Sequence, residues 1–310
     1  VFLITEGSVS MGALIASVIL TGRTLAPLAQ LAQTLTRLNQ ARSSYRSIDA
    51  LMRADSERPE GRNWLSRPLL EGRIQLDDVH FAYPDQLVTT LNGVSFTIEP
   101  GEKVAILGRI GSGKSTVARM ILGLYAPDKG AVLIDGTDIR QIDPGDLRRN
   151  VGSVLQDVWL FSGTVRENIA ISSRNLRDTE ILEAAKIAGV EDFIARHPLG
   201  YDLQLAERGE GLSGGQRQAI TLARALAGQP PILLLDEPTS AMDVQNERDV
   251  IERLKTHTQD RTMVIVTHRT SLLDLVDRVI VIEDGKVAAD GDKSILRLTA
   301  TQGQGGQNGA

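Results

Sequence analysis

The sequence predicts an α/β domain whose parallel sheet is covered by helices on both faces, preceded by an apolar helical segment. Helical stretches alternate with short apolar segments, which predict strands at 104–107, 151–155, 232–235, 263–266 and 279–282. Strands that are apolar without alternation indicate a parallel sheet buried on both faces. Segments 74–76 and 94–98 predict two earlier strands, the second followed by a turn at Pro100-Gly101.

Composition narrows the classes of function. The chain has 310 residues, of which 42% are hydrophobic, enough for a sizeable core. Its net charge is −5 and only 4% of its residues are aromatic. Proteins that bind nucleic acid usually carry a basic surplus, and single-strand binders add aromatic platforms, so neither class is expected. The lack of cysteine excludes disulfides and thiolate metal sites, and it fits a domain on the reducing side of a membrane.

The first fifty residues differ in composition from the rest. Residues 11–20 are almost wholly apolar, and 9–28 together would reach the length of about 20 residues that crosses a bilayer. Between Glu6 and Asp49 there is no acidic residue, but there are four arginines: Arg23, Arg37, Arg42 and Arg46. An apolar run followed by arginines indicates a membrane helix that leaves on the cytoplasmic side. The alternative is a buried amphipathic helix of a soluble domain.

The pattern divides the chain into four segments. A helical stripe of Leu28, Leu31, Leu35 and Leu38 continues the apolar run, and we expect residues 1–57 to be the end of a membrane domain. Prolines, charges and a glycine predict a linker at 58–72, and a Gly- and Gln-rich composition predicts a disordered tail at 299–310. We expect residues 73–298 to form the α/β domain. Because the sequence begins with valine, we expect it to start within a longer protein.

A glycine-rich motif, GRIGSGKST, follows the strand at 104–107 and precedes a predicted helix at 117–124. This is the setting of a P-loop, in which glycines turn backbone N–H groups towards phosphate oxygens and the helix start adds a positive dipole end. We expect Lys114 to reach the β- and γ-phosphates and the Ser115 hydroxyl to bind Mg²⁺. The predicted nucleotide-binding residues are Gly108, Arg109, Ile110, Gly111, Ser112, Gly113, Lys114, Ser115 and Thr116.

A second motif, ILLLDEP, delivers two carboxylates to the end of a buried strand. Ligands of open α/β sheets lie at the carboxyl ends of the strands. We expect Asp236 to hold Mg²⁺ through water, and Glu237 to accept the proton of the attacking water. The alternative is a solvated acidic loop, which the presence of the glycine-rich motif disfavours.

A third motif, LSGGQ at 212–216, rarely occurs by chance. With it, residues 73–298 resemble the nucleotide-binding domain of ABC transporters. The resemblance implies a P-loop NTPase with a mixed-sheet core, a helical subdomain and an antiparallel β subdomain, preceded by the end of an all-α transmembrane domain. It also implies a homodimer that binds two ATP molecules between its copies, which are arranged head to tail. The LSGGQ segment, called the signature motif, of each copy faces the γ-phosphate held by the other copy. The implied signature contacts are Ser213, Gly214, Gly215 and Gln216.

The resemblance assigns further roles by position. Tyr83 corresponds to the aromatic residue that stacks on adenine, Gln156 to the glutamine that touches Mg²⁺ and water, and His268 to the histidine that contacts the γ-phosphate. The implied cofactors are ATP and Mg²⁺. Residues 240–243 correspond to the loop that signals across the dimer, with Met242 where leucine is more common. The implied catalytic residues are Lys114, Gln156, Glu237 and His268, and the implied metal ligands are Ser115, Gln156 and Asp236.

Three features resemble ABC exporters rather than importers: the fused helix, the ERG turn at 207–209 and the segment FSGTVRENI at 161–169. We expect Trp159 and Phe161, in or beside this segment, to contact the membrane domain; the alternative is that both belong to the core. Three stretches together, GRIGSGKST, DIRQIDPGDLRRNVG at 138–152 and QDVWLFSGTVRENI at 156–169, most resemble bacterial type I secretion ATPases, especially those that export RTX adhesins and toxins. A lipid or drug half-transporter is the alternative.

The same resemblance implies a location in the bacterial inner membrane, with the ATPase domain in the cytoplasm. The expected partners are a membrane-embedded domain, a second copy, an adaptor protein and an outer-membrane channel, and no nucleic acid. Two other classes compete with this interpretation. A non-transport ABC ATPase is disfavoured by the apolar run at 11–20, and a module that binds nucleotide without hydrolysis is disfavoured by Glu237 and His268.

Overall fold

The computed structural model describes residues 10–59, 61–84, 88–172 and 176–295, together with Gly7. The tail predicted at 299–310 lies outside the described residues, as does the end of the predicted α/β domain beyond residue 295. The chain divides into two compact units, residues 1–62 and residues 63–310.

One long helix, α1 (Met11–Met52), dominates the described part of the first unit. Ser10 begins it, because the Ser10 hydroxyl accepts a hydrogen bond from the N–H of Ala13 at 3.2 Å. The helix has 42 residues and is therefore ~63 Å long. By length and composition it could cross a membrane, with a mean hydropathy of 1.5 over 18 residues. The predicted leucine stripe lies on this helix, and no residue of α1 is buried.

The second unit contains the strands and the remaining helices. The strands are β1 (Ile74–Phe81), β2 (Leu91–Ile98), β3 (Lys103–Leu107), β4 (Lys129–Ile134), β5 (Thr137–Asp138), β6 (Val151–Val154), β7 (Gly163–Thr164), β8 (Gln204–Leu205), β9 (Ile232–Asp236), β10 (Thr262–Val266), β11 (Arg278–Glu283) and β12 (Lys286–Asp292). The α-helices are α2 (Lys114–Ile121), α3 (Pro144–Asn150), α4 (Val165–Ala170), α5 (Asp178–Ile187), α6 (Glu191–Ile194), α7 (Gly214–Leu226) and α8 (Val244–His257). Short 3₁₀ helices cover Gly200–Asp202, Glu207–Gly209 and Thr270–Leu275.

The main sheet has six strands in the order β12-β11-β3-β10-β9-β6. Neighbours from β11 to β6 pair in parallel, whereas β12 pairs antiparallel with β11. The five apolar segments that predicted parallel strands all lie in this sheet, which confirms the α/β class. The hairpin of β11 and β12 makes the sheet mixed.

A second sheet, in the order β2-β1-β4-β5, is antiparallel and contains the two earlier predicted strands. On the opposite side of the main sheet, α4 and α5 pack against α7. The mixed core, the helical group and the antiparallel sheet therefore all occur as expected.

The central strands are buried on both faces. In β9, Leu233 and Leu235 belong to the core that includes the helical group, whereas Ile232 and Leu234 belong to the core that includes the antiparallel sheet and α2. Both faces need apolar side chains, so the strand is apolar without alternation.

The helix after the glycine-rich motif begins about one turn earlier than predicted and ends at Ile121, so the predicted span of 117–124 is wrong. Its limits are set by two glycines, Gly113 with φ of 104° and Gly123 with φ of 66°. Both are left-handed conformations that glycine adopts at little cost. As a result, Lys114 and Ser115 lie in the first turn of α2.

Asp135 fastens part of the predicted linker to the second unit. Its carboxylate accepts backbone hydrogen bonds from Glu71 at 2.7 Å, Gly72 at 3.0 Å and Arg73 at 2.8 Å. Residues 71–73 are therefore held against the second unit.

Candidate active site

Parallel pairing brings three strand ends together at one edge of the main sheet. Ile106 of β3 pairs with Val266, the last residue of β10, and Val266 pairs with Asp236, the last residue of β9. The glycine-rich loop directly follows β3, and His268 lies just beyond β10. The register therefore places the three polar segments side by side, at the edge where ligands of such sheets bind.

The glycine-rich loop uses backbone conformations that favour glycine. The φ angles are 151° at Gly108, 81° at Gly111 and 104° at Gly113. Gly108 is also packed closely, since a Cβ there would lie 2.1 Å from the carbonyl oxygen of Ile282 on β11. The loop is therefore fixed against β11, at a helix start that attracts phosphate groups.

The ammonium group of Lys114 lies within this loop. Its Nζ donates hydrogen bonds to the carbonyl oxygens of Gly108 at 2.9 Å and Arg109 at 2.7 Å. Burial lowers the pKa of Lys114, although the charges of Asp236 and Glu237 act in the opposite direction. The lysine thus donates hydrogen bonds to the loop and is close enough to both carboxylates for their charges to affect its pKa.

A cavity of about 290 Å³ opens beside the loop and is lined by Tyr83, Thr90, Gly111, Gly113, Lys114, Ser115 and Thr116. Of the other predicted loop residues, Arg109 and Ile110 line a second cavity with Glu283, which borders the first at Gly111, and the Ile110 side chain is fully exposed. The Ser112 hydroxyl is buried and has no hydrogen-bond partner among the described residues.

Asp236 is almost completely buried at the end of β9. Burial raises the pKa of its carboxyl group, although a hydrogen bond from the Ser115 hydroxyl and the charges of Arg119 and Lys114 act against this. A carboxylate beside a hydroxyl provides the oxygen ligands that Mg²⁺ prefers, usually one or two carboxylates together with phosphates and water. The residues at this position therefore fit the predicted metal.

Glu237 and His268 form a hydrogen-bonded pair at the same edge. The Oε1 atom of Glu237 lies 2.6 Å from Nδ1 of His268 and accepts the backbone N–H of His268 at 2.9 Å. The Thr267 hydroxyl donates to Oε2 at 3.3 Å. Glu237 itself has φ of 51°, a left-handed conformation that is strained for a residue with a side chain. These contacts fix the direction of the carboxylate that we expect to act as a base.

The predicted adenine-stacking residue, Tyr83, is tied to the helix that starts at the loop. Its hydroxyl lies 3.0 Å from Oγ1 of Thr116 and accepts a hydrogen bond from Arg119 at 2.9 Å. Its ring packs edge-on against Phe81 and Tyr125, with centroid distances of 5.0 Å and 5.2 Å. The sequence did not predict that Arg119 holds the Tyr83 hydroxyl, because Tyr83 lies 36 residues away and the local pattern shows only an arginine in a helix.

The signature motif forms the start of α7. The Ser213 hydroxyl accepts the N–H of Gln216 at 3.2 Å, and Oε1 of Gln216 accepts the N–H of Ser213 at 2.8 Å, which is a capping box. Ser213, Gly214, Gly215 and Gln216 line a cavity of about 430 Å³ that shares no lining residue with the cavity beside the glycine-rich loop. The two predicted groups of nucleotide contacts therefore lie in different places on one chain.

Gln156 lies shortly after β6 and is exposed, and its side chain makes no hydrogen bond with any described residue. The structure thus does not join Gln156 to the Asp236–Ser115 pair. Its roles in metal binding and catalysis stay predictions.

The segment that we expect to contact a membrane domain is held by two arginines. The guanidinium of Arg208 lies 4.5 Å from the ring centroid of Trp159. Arg224 of α7 donates to the carbonyl oxygen of Trp159 at 2.9 Å and lies 5.5 Å from the ring centroid of Phe161. Trp159 and Phe161 remain about half exposed, so the ERG turn and the two aromatic residues share one surface.

Comparison with known families identifies this arrangement. Residues 91–240 match the sequence model of the family described as ABC transporter, a segment that contains the glycine-rich loop, the signature motif and both carboxylates. The chain contains an ABC transporter ATP-binding domain. It also aligns with a solved structure of a bacterial Atm1-family ABC exporter with ATP bound, with a TM-score of 0.77 and 33% identity, over 98% of this chain and 54% of that chain. The predicted ABC ATPase fold is confirmed.

Curated relatives carry the name leukotoxin translocation ATP-binding protein LktB. The protein from Mannheimia haemolytica is 40% identical over 289 residues, which are 93% of this chain and 40% of the relative. The protein from Bibersteinia trehalosi gives the same values. That from a Pasteurella haemolytica-like species is 40% identical over 294 residues, 95% of this chain and 41% of the relative. The chain thus spans about 40% of the length of the curated relatives it matches.

Replacing Lys114 by alanine should weaken nucleotide binding to the ATP-binding domain. The lost ammonium group should reduce affinity by about 10- to 100-fold, because a hydrogen bond to a charged group contributes about 1.5–3 kcal/mol. Titration with a fluorescent ATP analogue measures the Kd, and Lys129→Ala, an exposed lysine at the start of β4, is the matched control. An unchanged Kd in Lys114→Ala would exclude the glycine-rich loop as the phosphate site.

Asp236→Asn should stabilise the ATP-binding domain in the absence of Mg²⁺. Burial raises the pKa of Asp236, so folding favours its protonated form. The carboxyl group makes its full contribution to the free energy of unfolding below the pKa of a free aspartate. This contribution is lost as the pH rises through the raised pKa of the folded state. Asparagine has a similar shape and no charge, so urea unfolding at neutral pH should give a higher free energy of unfolding.

The same variant should lose the part of nucleotide binding that depends on Mg²⁺. Asp260→Asn, at an exposed position, is the control and should change neither property. A lower free energy of unfolding in Asp236→Asn at neutral pH would show that burial does not dominate the energetics of this carboxyl group.

Proposed function

We propose that the chain is the ATP-hydrolysing part of an ABC exporter that moves a protein across the bacterial inner membrane. The observation that carries the proposal is the position of the Glu237–His268 pair, at the sheet edge where the glycine-rich loop begins. A loop of this kind is sufficient to bind ATP. An oriented carboxylate beside it adds the base that hydrolysis needs.

ATP would bind with its phosphates in the glycine-rich loop, at the start of α2. Lys114 would exchange its bonds to the loop carbonyl oxygens for bonds to the β- and γ-phosphates. Tyr83 borders the same cavity and would stack on adenine, with Arg119 and Thr116 holding its hydroxyl.

Mg²⁺ is the second cofactor in this proposal. Ser115 and Asp236 would hold it, Asp236 through water, and Gln156 would approach it from β6. Bound there, Mg²⁺ would neutralise charge on the β- and γ-phosphates. Asp236 has to be ionised for this role, against the effect of burial on its pKa.

In hydrolysis, Glu237 would take the proton of the attacking water. Its carboxylate keeps one direction because Oε1 is bonded to both the ring and the backbone N–H of His268. The His268 side chain is 77% exposed, so it is free to contact the γ-phosphate as well. A general base of this kind typically contributes about 10²- to 10⁴-fold to the rate.

Two copies would complete the site. The cavity at the signature motif is separate from the cavity beside the glycine-rich loop, so one chain supplies half of each composite site. The start of α7 carries the partial positive charge of a helix terminus, which suits a γ-phosphate. We therefore propose a head-to-tail homodimer with ATP between the signature of one copy and the loop of the other.

Export is supported by α1 and by the relatives. The helix is long and apolar enough to cross a bilayer, and no residue of it is buried. The relatives' names describe translocation of a leukotoxin, which favours type I protein secretion over the export of lipids or drugs. The ATP-binding domain would lie in the cytoplasm, with Trp159 and Phe161 against the membrane domain. An adaptor protein and an outer-membrane channel would be further partners.

Glu237→Gln should bind ATP but lose most turnover, by about 10²- to 10⁴-fold, because an amide cannot accept the proton of water. The variant should accumulate as an ATP-bound dimer, since hydrolysis normally opens the clamp. Phosphate release measures turnover, and size-exclusion chromatography with and without Mg-ATP shows the dimer. Glu252→Gln, an exposed position on α8, is the control.

Two results would contradict the proposal for Glu237. Normal turnover in Glu237→Gln would transfer the role of base to another residue, with His268 the next to test. Loss of ATP binding would show that Glu237 mainly supports the metal site.

Deleting residues 1–28 should make the chain soluble without detergent. The whole chain should aggregate in plain buffer or bind detergent, because the apolar side chains of α1 are exposed. Light scattering of both forms, with and without detergent, tests this expectation. A whole chain that is monodisperse and free of micelles would remove the membrane helix from the proposal.

A further inference from the structure

Gln218 lies in the second turn of α7, shortly after the signature motif, and its side chain is almost completely buried. A buried amide has to satisfy two N–H donors and a carbonyl acceptor within the protein. Both N–H donors and the carbonyl acceptor of Gln218 form hydrogen bonds with one short loop. We call this loop, residues 237–241, the base loop.

The contacts reach both ends of the base loop. Nε2 of Gln218 donates to the backbone carbonyl oxygen of Glu237 at 2.7 Å and to the Ser240 hydroxyl at 3.0 Å. Oε1 of Gln218 accepts the backbone N–H of Ala241 at 2.8 Å. A single side chain therefore fixes the peptide that follows Glu237, the residue held in a left-handed conformation.

The signature turn, by which we mean residues 213–216 at the start of α7, contacts the base loop directly. A Cβ added at Gly214 would lie 3.2 Å from Cβ of Ala241, and one added at Gly215 would lie 3.1 Å from the Ala241 carbonyl oxygen. The absence of side chains at these two glycines thus lets the start of α7 pack on the base loop. The helix contacts this loop through both its first and its second turn.

We infer that Gln218 is a positioning residue that couples the signature turn to the general base of the same chain. This inference rests on the proposed function of Glu237. In a two-copy clamp, the signature touches the nucleotide held by the other copy. Gln218 then links the nucleotide bound at one site to the carboxylate that acts at the other, so that the two sites hydrolyse ATP cooperatively.

Gln218→Met and Gln218→Glu test this inference in the whole chain, in detergent. Methionine fills the same space without hydrogen bonds, whereas glutamate keeps an acceptor for Ala241 but loses the donor to Glu237. Both variants should lower kcat by about 10- to 100-fold, because a small misplacement of a catalytic group has an effect of this size. The Kd for a fluorescent ATP analogue should change by less than about threefold, well under the tenfold that corresponds to 1.4 kcal/mol. The Hill coefficient for ATP should fall to that of independent sites.

Thr221→Val is the matched control. Thr221 is buried on the same helix, and within the described part of the chain its hydroxyl donates only to the carbonyl oxygen of Arg217 in that helix, at 3.0 Å. This variant should alter thermal stability as a buried substitution does, while kcat and the Hill coefficient stay at the wild-type values. If Gln218→Met does not fold, Gln218→Glu and the control carry the comparison.

The inference is overturned if both folded Gln218 variants keep the wild-type kcat and Hill coefficient, or if Thr221→Val lowers kcat equally. A Kd that rises in proportion to the loss of kcat would also overturn it, since Gln218 would then act on binding. These results differ from a failure of the proposed function. In that case the wild-type chain shows no ATPase activity, or Glu237→Gln keeps full turnover.

Discussion

The parallel register of β3, β10 and β9 is the constraint on which the site depends. Val266 pairs with both Ile106 and Asp236, so the loops after these strands leave the sheet at the same edge and the same height. Residues far apart in the chain thereby become neighbours, and the register brings Glu237 within hydrogen-bonding distance of His268. A shift of β9 against β10 would remove Asp236 from Ser115 and Glu237 from His268 together, because both pairs span this register.

The same edge contains a strained backbone conformation and two charged groups that burial disfavours. Glu237 is left-handed, Asp236 carries a carboxyl group whose pKa is raised by burial, and Lys114 has its pKa lowered for the same reason. Strain and desolvation of this kind persist only where the surroundings fix them. Here the fixing groups are the Ile282 carbonyl beside the glycine-rich loop and the backbone of β10, which accepts the N–H of Glu237 at 2.9 Å.

Helix α7 connects this edge of the sheet to the cavity at the signature motif and to the exposed surface at Trp159 and Phe161. Its first turn is the signature motif, and its second turn carries Gln218, which is bonded to the loop after Glu237. Near its end, Arg224 is partly buried, and this burial lowers the pKa of its guanidinium to about 10. The guanidinium donates hydrogen bonds to the carbonyl oxygens of Trp159 and Asn168, both at 2.9 Å. One helix therefore carries the signature motif and contacts both the base loop and the exposed aromatic surface.

The sequence by itself determined the fold class and located the glycine-rich loop and the two carboxylates, because each is encoded within a few neighbouring residues. Apolar runs identify buried strands, and glycines at fixed spacing identify a loop before a helix. Only the tertiary structure decided that Gln218 meets Glu237, 19 residues away, and that Arg119 meets Tyr83, 36 residues away. It also decided that Gln156 stays exposed. Such polar contacts depend on how helices and strands pack. No local sequence pattern indicates which group a buried amide or a partly buried arginine will contact.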